Sequence, residues 1–290
     1  MRVEGGCAAA LGLVIILVPS GQREARVEPR ALAPPATVIP FRLVAGFLVV
    51  VDGSIGGLDQ LSFVIDTGTS RTVIHQGIAR TLGLARTRQD MLVFGGDVAT
   101  EGVVAPSLAF GRIRALDLQV LTADLHSQEG RLGLRPDALI GMDVLRHHCV
   151  TIDYAAANIT FGCTGGWHAQ ASFDPESLYP VLEASIDGAA YRLIVDSASE
   201  AIVIFEHAIP PDKHVEVDAE VEATHLTGTV LLKRFTAARF GIGRHGLGTP
   251  PVFIISSTSE VPGFDGVLGS QWLPGTQVHF DFPRRVLGWK

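Results

Sequence analysis

Two aspartate residues, Asp66 and Asp196, each follow a run of branched apolar residues and precede a hydroxyl residue. They lie in the stretches FVIDTGTSRTVI (63–74) and LIVDSASEAIVI (193–204). A carboxylate at the end of an apolar strand is costly to bury unless it is paired or used in chemistry. Two carboxyl groups held together share one proton, so that one acts as an acid while the other acts as a base. Such a pair can activate water for hydrolysis.

Both aspartates belong to a repeat that covers most of the chain. The two stretches align at an offset of 130 residues, and LAFG aligns with ARFG at the same offset. DALIGMDVL with DGVLGSQWL, and VTIDY with VHFDF, align at an offset of 128. Four matches in the same order at nearly constant spacing indicate an internal duplication.

Both halves of the repeat have the residues of β-strands. Runs of Val, Ile and Phe are broken by Gly and Pro, and few windows have a helical period. Segments 40–57 and 179–190 predict hairpins with Asp-Gly turns. We therefore expect a mainly β protein with an N-terminal lobe at 37–163 and a C-terminal lobe at 164–290, divided at a glycine-rich break.

The first residues resemble an N-terminal export signal. No charged residue occurs from 5 to 22, and Ala8–Val18 is almost wholly aliphatic. This run is too short for a membrane-spanning helix, which needs about 20 apolar residues. We expect a signal peptide over 1–20, an extended tether over 21–36, and a periplasmic or extracellular protein with no stable membrane span once the leader is removed. An uncleaved leader would instead leave the protein tethered to a membrane.

The composition excludes several partners. A hydrophobic content of 47% with 18% charged residues is sufficient for a large core. The formal net charge of −7 argues against nucleic acid, because phosphate contacts need clustered Lys and Arg. The chain has no phosphate-binding glycine loop or cofactor motif, and the adjacent pair His147-His148 lacks the spacing of metal ligands. We expect no metal and no cofactor.

The motif Asp66-Thr67-Gly68, followed by an apolar-apolar-Gly motif at 139–141, resembles the catalytic motif of the aspartic peptidases. The closest group is the retropepsin-like family, including its bacterial members, and the resemblance covers 37–290, once per half. It implies two tandem retropepsin- or pepsin-like β-barrel lobes with a cleft between them. Each lobe would supply one aspartate, and a water would lie between Asp66 and Asp196. A polypeptide substrate would lie extended in the cleft, bonded along its backbone like an added strand.

Six neighbours of the aspartates are expected to support the pair. In the family, the hydroxyl after each aspartate links the halves, and the hydroxyl three residues after it commonly bonds the carboxylate. A glycine two residues after the aspartate lets the backbone N–H approach the carboxylate, whereas an alanine adds a methyl group that is tolerable only at negative φ. The six residues are Thr67, Gly68, Thr69, Ser197, Ala198 and Ser199.

Two segments lie where the family has a hinged flap that covers the substrate. They are Phe94-Gly95-Gly96 in the first half and Thr227-Gly228 in the second. A plain β-turn is the alternative for both. Neither has the tyrosine of the pepsin-like flap, which favours the retropepsin side of the resemblance.

Two cysteines, Cys149 and Cys163, flank a predicted hairpin. A three-residue turn at 155–157 would place them opposite each other, and a disulfide would agree with export. Two small buried thiols are the alternative.

The sequence thus favours an aspartic endopeptidase and leaves two alternatives open. The chain could be a protease-like peptide-binding protein that kept the cleft and lost catalysis, and Ala198 is the reason to consider it. It could also form a homodimer in which two copies of Asp66 make the pair.

Overall fold

The protein is described by a computed structural model. The predicted signal peptide and all but the last residue of the predicted tether lie outside the described residues, as do Phe94, Gly95 and Thr227. The described residues are 36–93, 96–127, 129–225, 228–256 and 263–290.

The first half is built mainly of strands with three short helices between them. In chain order its elements are β1 (Thr37–Pro40), β2 (Arg42–Val44), β3 (Leu48–Ile55), β4 (Leu58–Ile65), β5 (Val73–His75), α1 (Gln76–Thr81), β6 (Thr87–Val93), β7 (Gly96–Phe110), β8 (Ile113–Ala123), α2 (Glu129–Leu132), β9 (Ala138–Ile140), α3 (Met142–Leu145), β10 (Cys149–Asp153) and β11 (Asn158–Phe161).

The second half continues with strands and two single turns of 3₁₀-helix, Glu206–Ala208 and Ser270–Trp272. No helix in the described parts of the chain is long and apolar enough to cross a membrane. The strands are β12 (Ala169–Ser172), β13 (Val181–Ile186), β14 (Ala189–Asp196), β15 (Ile202–Phe205), β16 (Ala219–His225), β17 (Gly228–Thr236), β18 (Phe240–Ile242), β19 (His245–Gly248), β20 (Pro251–Ile255), β21 (Gly266–Gly269), β22 (Gln277–Asp281) and β23 (Val286–Trp289).

Each half has its own large sheet. The first sheet has the order β2-β3-β4-β9-β5-β8-β7-β6, and an additional pairing of β3 with β7 closes six of its strands into a barrel. The second sheet has the order β16-β17-β20-β15-β21-β14-β13-β18-β19. In the second half, the segment that corresponds to the long hairpin β7–β8 is divided into shorter strands. One break lies at Pro250-Pro251, because proline has no N–H to donate to a neighbouring strand.

A third sheet joins the halves. Its order is β1-β11-β10-β22-β23-β12, with three strands from each half. The central pair, β10 and β22, is antiparallel and aligns Ile152 with Val278. The mainly β, two-lobed fold predicted from the sequence is confirmed.

The strands that carry the two aspartates have the same surroundings. Strand β4 pairs in parallel with β9, and β14 pairs in parallel with β21. The residues Phe63–Ile65 and Leu193–Val195 are buried completely or almost so. A continuous apolar run is what a strand requires when both of its faces are covered. Each apolar run therefore brings its aspartate into the interior.

One of the two predicted Asp-Gly turns is wrong. Asp187 and Gly188 form the turn between β13 and β14 with φ of 51° and 85°, as expected for a tight hairpin. Gly53 instead lies inside β3, and the chain turns at Gly56-Gly57. A Cβ at Gly53 would lie 2.1 Å from the ring of Phe63, so this glycine makes room for a core aromatic ring.

The cysteine hairpin has a longer turn than predicted. Asp153 pairs with Asn158, which leaves four residues in the turn rather than three. Ala157 closes it at φ 50°. Cys149 and Cys163 are therefore one position out of register, but they form a disulfide with their Cα atoms 4.9 Å apart.

Candidate active site

The two aspartates lie at the ends of β4 and β14 and are almost inaccessible to solvent. Asp66 is 1% exposed and Asp196 is 0% exposed. The N–H of Asp66 donates to the carbonyl of Ile140 at 3.0 Å, and Asp196 aligns with Gly269 in the second half. Each carboxyl group is thus placed by the strand pair that ends in the second motif of its own half.

Each carboxyl group is held by the backbone two residues further along. The N–H of Gly68 donates to Oδ1 of Asp66 at 2.8 Å, and the N–H of Ala198 donates to Oδ1 of Asp196 at 2.7 Å. The other oxygen of each group, Oδ2, is buried and has no hydrogen-bond donor among the described residues. The two carboxyl groups are close enough for a hydrogen bond between them when one carries a proton. A proton shared between the two groups would therefore offset part of the cost of burying them.

Burial and proximity raise the pKa of both groups. Loss of solvation, followed by the charge of Asp196, raises the pKa of Asp66 well above its usual range, while the N–H groups of Gly68 and Thr69 oppose the shift. Loss of solvation raises the pKa of Asp196 to about 7. Hydrogen bonds from the N–H of Ala198 and from the side chain of Asp66 lower this pKa and so oppose part of the shift. The pair consequently retains one proton over the range in which an exposed pair of aspartates would be fully ionised.

The residues after the aspartates connect the two halves through four buried hydrogen bonds. The Thr67 hydroxyl donates to the carbonyl of Val195 at 2.7 Å and accepts from the N–H of Ser197 at 2.9 Å. The Ser197 hydroxyl donates to the carbonyl of Ile65 at 2.8 Å and accepts from the N–H of Thr67 at 3.1 Å. The link is reciprocal, and it fixes the two aspartate loops against each other within one chain.

Gly68 and Ala198 occupy matching positions but differ in the space around them. A Cβ at Gly68 would lie 2.5 Å from Oδ2 of Asp196 and 2.6 Å from its Cγ, so no side chain fits there. Ala198 is accommodated because its φ is not positive. Its methyl group packs with an apolar cluster of the first half that includes Phe47 and Leu48.

The expectation for the hydroxyl groups three residues after each aspartate is wrong. The Thr69 hydroxyl donates to the carbonyl of Arg71 at 3.1 Å, and the Ser199 hydroxyl interacts with the backbone of Ala201. Both side chains close their own loop rather than bonding a carboxylate. It is the backbone N–H of Thr69 that faces Asp66.

A partly buried interaction that the sequence did not reveal holds the first aspartate loop on the side of the second motif. Asp143, in the second motif, accepts bonds from the N–H of Thr72 at 2.9 Å and from its hydroxyl at 2.8 Å. Loss of solvation raises the pKa of Asp143 to about 6 despite these bonds. The only sequence signal is an acidic residue two positions after the glycine of the apolar-apolar-Gly motif.

The described parts of both flap candidates lie at the tips of hairpins. Gly96 begins β7 and pairs with Val93 of β6. Gly228 begins β17 and pairs with His225 of β16. The two hairpins are equivalent in chain order, one in each half. The other residues of the two candidates, Phe94, Gly95 and Thr227, lie outside the described residues.

The described residues contain one group with three possible metal ligands. The donor atoms of Cys149, His279 and Asp281 all lie within 4.8 Å of one another. Cys149 is bonded to Cys163, so its sulfur is not available as a thiolate ligand.

Comparison with known proteins agrees with the motifs and the fold. Residues 51–144, which include Asp66 and the second motif, match the family model described as Aspartyl protease. The structure is similar to the crystal structure of an aspartic proteinase from Irpex lacteus, at a TM-score of 0.53 and 15% identity, over 88% of this chain and 96% of that one. The predicted resemblance to the aspartyl proteases is confirmed. A search of curated protein sequences finds no match.

Proposed function

We propose that this protein is an aspartic-type endopeptidase with Asp66 and Asp196 as its catalytic pair. The observation that carries the proposal is the juxtaposition of two buried carboxyl groups, each with one oxygen that has no donor among the described residues. An arrangement of this kind is unfavourable unless the two groups share a proton. A shared proton is what hydrolysis without a covalent intermediate requires, because the pair then contains an acid and a base together.

The geometry and pKa shifts assign a role to each aspartate. Asp66, whose pKa is raised by burial and by the charge of Asp196, holds the shared proton. Asp196 takes a proton from a water bound between the carboxyl groups, and the water oxygen attacks the carbonyl carbon of the peptide bond. Asp66 gives its proton to the carbonyl oxygen. As the resulting diol collapses and its C–N bond breaks, Asp66 takes back a proton from one hydroxyl of the diol and Asp196 gives its proton to the nitrogen of the leaving amine.

The substrate that fits this site is a polypeptide in extended conformation. We expect the hairpins β6–β7 and β16–β17 to cover it, and an extended chain can bond along its backbone in the manner of an added strand. The net charge of −7 supports a protein partner rather than nucleic acid. The pair itself needs neither metal nor cofactor for the steps above.

Two observations favour a competent pair within a single chain. The Ala198 N–H makes the same bond to its aspartate as the Gly68 N–H does, so the alanine does not remove a donor. The Thr67–Ser197 link joins the two halves of one chain and leaves each half with a single aspartate at the centre. A binding protein without catalysis and a homodimer built on two copies of Asp66 are therefore less favoured.

We also infer that the two lobes, 37–163 and 164–290, arose by duplication and that the protein is exported. The repeated motifs and the repeated pairings β4–β9 and β14–β21 support the duplication. The Cys149–Cys163 disulfide supports an oxidising compartment, the periplasm or the extracellular space. A signal peptide over 1–20 would be the export signal.

Hydrolysis of quenched fluorescent peptides tests the proposal. The wild-type protein should cleave internal bonds, and Asp66→Asn and Asp196→Asn should each abolish cleavage without changing the fold. Asp59→Asn, at an exposed position of the strand that directly precedes Asp66, is the matched control and should retain activity. Activity per chain should not depend on protein concentration. Cleavage that survives both substitutions, or a loss restricted to Asp66→Asn with activity rising steeply with concentration, would contradict the proposal.

A further inference from the structure

Two of the three tyrosines in the chain reach the aspartate loops. Tyr154 lies in the turn between β10 and β11, and its hydroxyl is 2.8 Å from the hydroxyl of Ser270. Ser270 directly follows Gly269, the residue aligned with Asp196 in the strand pair. Ser270 is 1% exposed, so this hydrogen bond is made in the interior. Tyr154 belongs to the first half, whereas its partner supports the aspartate of the second.

Tyr179 makes the reverse connection. It precedes β13 in the second half, and its hydroxyl is bonded to both the hydroxyl and the backbone N–H of Ser70. Ser70 lies in the first aspartate loop, four residues after Asp66, and its carbonyl accepts the N–H of Asp143 at 3.1 Å. Tyr179 is 5% exposed. The two tyrosines thus cross between the halves in opposite directions.

Both phenols are rigidly placed and uncharged. The Tyr154 N–H donates to the carbonyl of Thr276 at 2.8 Å, and its ring meets the edge of Phe41. Beside Tyr179, the carbonyl of Pro180 accepts the N–H of Val195 at 3.0 Å, next to Asp196. Burial, and then the charge of the nearer aspartate, raises the pKa of both tyrosines, to about 12 for Tyr154. The hydroxyls are therefore neutral dipoles at neutral pH.

We propose that Tyr154 and Tyr179 are positioning residues, each of which holds the aspartate loop of the opposite half in its reactive position. The assignment of a catalytic effect rests on the proposed function, whereas the mechanical connection does not. Neither hydroxyl is placed to contact the reacting atoms; each acts through a serine beside the catalytic pair. Because a displacement of about 1 Å at a reacting group can cost about a hundredfold in rate, a connection of this kind affects turnover more than substrate binding.

Steady-state kinetics of Tyr154→Phe and Tyr179→Phe test the catalytic part. Each variant keeps the ring and loses one buried hydroxyl, so we expect kcat to fall about tenfold, with KM changed less than about twofold. Tyr191→Phe is the matched control, because Tyr191 is buried but lies near Asp187 and Asp265 rather than near the catalytic pair. It should keep kcat. Ser270→Ala combined with Tyr154→Phe, and Ser70→Ala combined with Tyr179→Phe, should lower kcat no further than the single changes.

Amide hydrogen exchange tests the mechanical part without any activity. Tyr154→Phe should accelerate exchange in 266–273 and leave 66–72 unchanged, whereas Tyr179→Phe should do the reverse. The serine variants should reproduce each pattern, which keeps the test valid if a phenylalanine variant folds poorly. A wild-type protein that cleaves no peptide would contradict the proposed function. The hydrogen-exchange pattern would still test whether each tyrosine holds the aspartate loop of the opposite half. Exchange that changes only around the substituted tyrosine, or kcat equal to that of wild type in both phenylalanine variants, would overturn the inference.

Discussion

The two aspartate loops share their backbone geometry and differ in what supports it. In both, a backbone N–H two residues after the aspartate donates to Oδ1, and a hydroxyl residue directly after the aspartate bonds across to the other half. In the first loop the donor is Gly68, packed against Asp196 with no space for a side chain. In the second the donor is Ala198, whose methyl group fills part of an apolar cluster.

The anchors behind the loops differ as well. The first loop is held by a carboxylate, Asp143, which bonds Thr72. The second is held by neutral donors, because the side chains of Gln271 and Trp272 both donate to the carbonyl of Glu200 at 2.9 Å. Both loops therefore retain the hydrogen bond to the aspartate and the hydrogen bonds between the halves. The outer support can be charged in one half and neutral in the other.

Removing the link between the halves should have the largest effect on stability. Thr67→Val keeps the shape but leaves the carbonyl of Val195 and the N–H of Ser197 buried without partners. We expect the free energy of unfolding to fall by about 3 to 4 kcal/mol, since each unsatisfied buried group costs about 1 to 3 kcal/mol. Denaturant unfolding measures the loss. Thr67→Ser retains the hydroxyl and should lose much less; equal losses in the two variants would mean that the hydroxyl bonds are unimportant.

Making the first loop resemble the second should strongly reduce the proposed peptidase activity. In Gly68→Ala the new methyl group would lie 2.5 Å from Oδ2 of Asp196, so the pair must move apart. We expect kcat to fall by about a hundredfold, the effect of a displacement of about 1 Å. Peptide hydrolysis at saturating substrate checks this result. Full activity in Gly68→Ala would show that the carboxyl group of Asp196 lies further from position 68 than the structure places it.

The charged anchor should make the first half sensitive to pH. The pKa of Asp143 is about 6 in the folded protein, against an ordinary value of about 4. The folded protein therefore holds this proton more tightly, and the resulting stability is present below pH 4 and is lost as the pH rises through 6. Asp143→Asn should match wild type near pH 4 and exceed it at pH 8, by on the order of 2 kcal/mol. Thermal unfolding of both proteins between pH 4 and pH 8 measures this difference. A variant that loses stability relative to wild type as the pH rises would contradict the prediction.

Making the second loop resemble the first should have the smallest effect. Ala198 already has a backbone conformation that any residue adopts, and glycine would keep its N–H. We expect Ala198→Gly to leave kcat within about twofold and to lower the free energy of unfolding by about 1 kcal/mol, through greater freedom of the unfolded chain and a lost buried methyl group. A large rise in kcat would indicate instead that the methyl group distorts the wild-type pair.

The sequence carried the repeated motifs, and these were sufficient to predict a mainly β, two-lobed fold with Asp66 and Asp196 at equivalent positions. The link through Thr67 and Ser197 also follows from the resemblance, because each hydroxyl residue is adjacent to an aspartate. The error at Asp52-Gly53 has a clear cause: a local turn signal was outweighed by the packing of Phe63 against the strand.

Other contacts could not be read from the sequence because they join distant positions without a local pattern. Asp143 and Thr72 are 71 positions apart, and Tyr154 and Ser270 are 116 apart. The roles of Thr69 and Ser199 were misjudged for a different reason. Each hydroxyl can reach either a carboxylate or its own loop, and only the folded backbone decides between the two acceptors.

Carboxyl titration of Asp66 and Asp196 tests the central claim, that the two groups share a proton, most directly. With ¹³C-labelled aspartate, the resonances of Asp66 and Asp196 can be assigned by their absence in the Asp66→Asn and Asp196→Asn variants. Proton sharing predicts that both pKa values lie above the ordinary value of about 4 and that the pKa of Asp66 falls when Asp196 is replaced, because the neighbouring charge is removed. Two independent titrations near pH 4, with Asp66 unaffected by Asp196→Asn, would contradict the account.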